Sequence, residues 1–72
     1  MKPNELEKEI GELEFNKLEQ LTKDGFARRI TIQEFDTKYT LIMSGLIKRD
    51  VSVGVLRTLN YVYGTVRNHY EK

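Results

Sequence analysis

Apolar residues recur at helical spacing along most of the chain, in three blocks separated by polar corners. In the stretch NELEKEIGELEFNKLEQLTKD, Leu6, Ile10, Leu13 and Leu21 fall within roughly 80° of one another on a helical wheel, with Leu18 at the margin. This predicts a first helix over about residues 4–24. Asn4 suits its cap, Glu5 and Glu7 suit the positive end of its dipole, and Gly25 suits a left-handed stop. Phe15 lies outside the stripe and marks a second contact surface. Gly11, in mid-helix, costs about 1 kcal/mol against alanine and permits a close approach.

The second block is the most regular. Ile32, Phe35, Tyr39, Ile42, Met43, Leu46 and Ile47 fall within roughly 140° of arc and predict a helix over about residues 32–48. Thr31-Ile32-Gln33-Glu34 ahead of it is a capping-box pattern: the Thr31 hydroxyl accepts from the Glu34 amide, and the Glu34 carboxylate reaches back. Ile30 and Ile32 also alternate with Arg29 and Thr31 as in a short strand, but no second strand is in sight to pair with it.

In the third block Val51, Val55, Leu59, Val62 and Val66 form a narrow stripe, widened by Leu56, Tyr63 and Tyr70. Valine favours strands, yet a period near 3.6 sustained over four turns outweighs that propensity and predicts a helix over about residues 51–70, capped by Asp50 or Ser52. The expected fold is therefore an all-α, three-helix bundle in a single domain spanning 1–72. The second and third helices should form its core. The first should close the bundle or reach across to a second subunit, so that homodimerisation completes it.

Size sharpens that last expectation. A chain of 72 residues buries only about 60% of the surface its unfolded form exposes, and this one has no cysteine and a single histidine, so neither a disulfide nor a histidine-held metal staples it. Tight packing or self-association remain as stabilisers. The charge is divided. Residues 1–24 carry four lysines against seven acids, a net −3, and residues 25–72 carry eight Lys and Arg against four acids, a net +4. An acidic amphipathic helix thus precedes a basic helical pair. No apolar run reaches the ~20 residues of a membrane span, and the charged amino terminus is unlike a signal peptide; a cytoplasmic protein is expected, with no membrane partner.

Candidate chemistry is sparse. His69, the sole imidazole, reads as a surface side chain near a fraying end. The glutamates of the first helix are interleaved with Lys8 and Lys17 and read as a solvated face. Gly45, Gly54 and Gly64 are too far apart for a phosphate loop. No catalytic residue, metal ligand or cofactor site is expected.

Two surfaces hold more interest. Lys48-Arg49-Asp50 reads as a capped corner, with the cations at the carboxyl end of one helix and the acid at the start of the next. Away from the valine stripe, Arg57, Asn60, Tyr61, Gly64, Arg67 and Asn68 lie within about 120° on the third helix. Arg with Tyr is what protein interfaces concentrate at their hot spots. Arg with Asn is also what reads guanine and adenine edges, and Lys48 and Arg49 could reach phosphates. The expected function is a non-catalytic interaction protein, an adaptor, inhibitor or regulatory accessory, that uses Arg57, Asn60, Tyr61, Arg67, Asn68, Lys48 and Arg49 to bind a protein partner. The alternative is a dimeric, helix-turn-helix-like DNA-binding regulator reading with helix 51–70. Against it stand a net charge of only +1 and a valine-rich first turn where base-reading residues belong.

Overall fold

The computed structural model describes residues 3–71; Lys2 and Lys72 of the charge count lie outside them. The described chain is all helical, and it has four helices where the periodicity predicts three: α1 (Pro3–Ile10), α2 (Glu12–Phe26), α3 (Ile32–Lys48) and α4 (Val53–Tyr70).

The extra break falls at Gly11, with φ 91° and ψ 153°, a region that glycine alone holds readily. The break resets the helical phase. Beyond it the inward face of α2 becomes Phe15, Leu18, Leu21 and Gly25, while Leu13 is turned outward and is 68% exposed. Phe15, off the stripe of a continuous helix, packs against the core for the same reason.

Gly25 does not stop α2. It lies inside the helix and is buried, and the left-handed residue is Arg28 at φ 54°. The Arg29 amide donates to the Asp24 carbonyl at 2.9 Å and the Arg28 amide to Gly25 at 3.1 Å, a Schellman ending. The α3 terminus repeats the device. Asp50 sits at φ 57°, its amide donates to Ile47 at 3.1 Å, and the Val51 amide turns back to Leu46 at 3.5 Å. Val51, next along, packs against the core. Asp50 therefore ends α3, and the cap of α4 is Ser52, whose hydroxyl accepts from the Val55 amide at 3.3 Å.

The start of α3 follows its capping box in part. The Thr31 hydroxyl accepts from the Glu34 amide at 3.1 Å, and the Glu34 carboxylate lies 3.5 Å from that hydroxyl.

The core gathers Ile10, Leu18, Leu21, Phe35, Tyr39, Leu46, Val55, Leu59 and Val66. Its centre is α2, which packs on both α3 and α4, whereas α3 and α4 bring their backbones together over a smaller length than their stripes predict. Aromatic rings account for the spacing. Phe35 lies 5.7 Å from Tyr63 and Tyr39 lies 4.7 Å from Tyr63, ring to ring, so α3 and α4 meet through side-chain stacks. Where α2 meets α4, Gly25 supplies no side chain and the helices close directly on Val66.

Polar tips of the aromatic residues find partners. The Tyr39 hydroxyl donates to the Leu59 carbonyl, the Tyr70 hydroxyl to the Ile30 carbonyl at 2.7 Å, and the Tyr63 hydroxyl to Asp36 at 2.6 Å. Burial, reinforced by neighbouring Tyr63, pushes the Tyr39 phenol well above its ordinary range. The carboxyl end of α4 is consequently tied down. Arg28 donates to the His69 carbonyl at 3.0 Å, and the His69 ring, half-buried, meets Phe26 edge-on at 5.4 Å, so His69 is not the frayed surface residue its position suggests.

Candidate interaction surface

The residues expected to bind a partner divide into two groups. Arg57, Asn60, Tyr61 and Asn68 stand exposed along the outer face of α4, Tyr61 at 77%. None of their side chains is used by a hydrogen bond or ion pair within the described residues. Their backbone is rigid, because the opposite face of the same helix carries Val55, Leu59 and Val66 into the core. Lys48 is exposed in the last turn of α3, where its charge complements the helix dipole.

Arg67 and Arg49 belong to the second group. Arg67 leans toward α3: its Nη1 donates to the Tyr63 hydroxyl at 3.0 Å and lies 3.5 Å from Asp36, with the guanidinium 5.7 Å from the Tyr63 ring centroid. The Tyr63 hydroxyl, then the Asp36 carboxylate, hold the Arg67 pKa above its ordinary value. Arg49 donates from Nη1 to the Ile10 carbonyl at 2.8 Å, at the point where Gly11 ends α1. Beside it, the Ser52 hydroxyl donates to Glu9 at 2.9 Å. The Lys48-Arg49-Asp50 corner is thus more than a solvated turn, since it clasps the first helix.

Apolar residues outside the stripes mark a surface that periodicity alone does not single out. Leu41 is 69% exposed on α3 and overhangs an open groove between α2 and α3. Leu21 and Ile42 line it, with Lys17 and Lys38 at its rim and Gly45 further along. Its signal in the sequence is a leucine on the polar side of the second helix. Ile47, counted in the α3 stripe, is 60% exposed at the edge of that stripe, whereas Leu46 in the same turn is buried in the core.

Among the described residues, no group of three or more His, Cys, Asp or Glu is placed to hold a metal ion. No described helix is long and apolar enough to cross a membrane. Besides Arg67 with Asp36, the ion pairs among the described residues are short-range and lie at the surface: Lys17 with Glu14 at 3.6 Å, Lys23 with Glu19 at 3.4 Å, and Arg29 with Asp24 at 3.3 Å. Such pairs contribute at most about 1 kcal/mol each. No protein-family model matches the chain, and no curated protein and no solved structure matches it.

Proposed function

We propose that this chain is a non-catalytic interaction protein that binds and modulates a protein partner through the outer face of α4. The observation that carries the reading is the division among its arginines and tyrosines. Arg67, Tyr39, Tyr63 and Tyr70 are engaged inside the fold, while Arg57 and Tyr61 stand outward beside Asn60 and Asn68. A rigid helix presenting Tyr and Arg with little internal use is what a hot spot requires, since ordering costs are small before contact. The setting we propose is the cytoplasm, which suits a cysteine-free chain.

The DNA-reading alternative loses two of its cations to internal bonds, Arg49 and Arg67, and α4 enters with Val53, Gly54, Val55 and Leu56. The test is a pull-down from source lysate with the native chain, Arg57→Glu and Tyr61→Ala, each checked for helicity. A partner retained by the native chain and lost, by tenfold or more in affinity, from both variants supports the reading. Equal retention by all three overturns it, as does duplex DNA binding that weakens steeply with added salt.

A further inference from the structure

α1 is attached to the rest of the molecule at its carboxyl end. Ile10 is 1% exposed, its carbonyl accepts from Arg49 at 2.8 Å, and the Glu9 carboxylate accepts from Ser52 at 2.9 Å. Both donors belong to the corner between α3 and α4. The backbone of Gly11 alone turns α1 from the line of α2, and a Cβ built there meets nothing within 4 Å. Glycine at this position is therefore required by conformation and not by crowding.

A helical wheel drawn straight through the sequence, without the turn at Gly11, aligns apolar residues from both sides of it. In a straight helix Leu6, Ile10, Leu13 and Leu21 share one side, whereas in the bent chain Leu13 is 68% exposed and has no place in the core. A straight helix would put Leu13 in line with Leu6 and Ile10, an alignment the bent chain leaves unused. Straightening lifts α1 off its own corner and leaves the Ile10 seat, Arg49 and Ser52 unfilled. The segment whose shape and polar groups match that vacancy is another α1.

We propose that α1 is an exchangeable element: the cradle at the α3–α4 corner accepts the α1 of a second copy of this chain, with Gly11 as the hinge. The contacts remade between copies are those given up within one. The balance between the forms is therefore set by hinge conformation and protein concentration. This inference does not depend on the outer face of α4.

Gly11→Ala disfavours the bend and favours the straight helix in both chains, which moves the monomer–dimer equilibrium toward dimer by roughly a thousandfold. Light scattering after size exclusion reads the mass across a concentration series. A Glu9→Cys/Ser52→Cys pair marks the cradle, because the chain has no cysteine of its own. A short bis-maleimide, each end of which adds one thiol across its double bond, joins the two positions within one chain when α1 is closed and between chains when it is exchanged.

The expected result is an intrachain product with Gly11 intact at low concentration, and a dimer with interchain product for Gly11→Ala. A folded Gly11→Ala monomer, or a dimer whose cross-link stays within each chain, overturns the proposal. If Gly11→Ala does not fold, the double-cysteine chain with Gly11 intact is heated and cooled at high concentration. Interchain product that rises with concentration then supports exchange, and intrachain product alone overturns it.

Discussion

A Cβ at Gly25 would stand 2.7 Å from Cγ1 of Val66, closer than two carbon atoms approach. Val66 is fully buried and its β-branched side chain is stiff in a helix, so it cannot swing aside cheaply. The Phe35 ring, 3.3 Å away, blocks the other direction. Gly25→Ala is therefore expected to lower stability by about 1–2 kcal/mol, as overpacking outweighs the gain in helix propensity. Thermal unfolding should show Tm falling by roughly 5–15 °C. An unchanged or higher Tm would mean that α2 and α4 are not in direct contact there.

The opposite outcome is expected at Gly45. It lies in the last turn of α3 and a Cβ there meets nothing within 4 Å. Gly45→Ala should raise stability by up to about 1 kcal/mol through propensity alone, the full value belonging to a helix interior. A lower Tm in a concentrated sample, absent in a dilute one, would show that another copy covers this face.

Asp50 supplies a third measurement. Its φ of 57° is tolerated by Asp, easy for Gly and poor for a β-branched residue. Asp50→Val is expected to destabilise by about 1–2 kcal/mol, and Asp50→Gly to be neutral or stabilising within about 1 kcal/mol. Urea midpoints of the two variants would separate the backbone effect from loss of the carboxylate, which both share.

The Tyr39 phenol makes stability depend on alkaline pH. Its ordinary pKa is 10.0, and in the fold burial, then Tyr63, raise it. The folded state thus favours the neutral form, so this contribution is complete below about pH 10 and is lost as pH rises above it. Tyr39→Phe should cost about 0.5–1.5 kcal/mol at neutral pH, where the bond to the Leu59 carbonyl is removed, and should flatten the alkaline decline. Denaturant midpoints measured from pH 7 to about 11 would show both effects. A decline equally steep in Tyr39→Phe would assign it to other groups.

Periodicity made α3 and α4 legible to within a few residues, because each has one uninterrupted stripe and a side-chain cap, Thr31 or Ser52. It misread the first block, where a single glycine shifts the phase. Leu13 and Phe15 exchange inside and outside at Gly11, and a wheel drawn through the break averages two faces into one. The exposed side chains of the α4 face were readable from their distance to the valine stripe. The internal bonds of Arg67 and Arg49 were not, since their partners Asp36 and Ile10 lie far away in sequence and only tertiary packing brings them near.

The stacked Phe35, Tyr39 and Tyr63 rings have an experimental consequence. With no tryptophan in the chain, the near-ultraviolet dichroism comes from tyrosine and phenylalanine, and closely stacked rings held at fixed angles generate most of such a signal. Tyr61, 77% exposed and outside these ring contacts, adds little background. The molecule therefore carries its own optical gauge of whether α3 and α4 are seated on each other, readable in real time and without any attached dye.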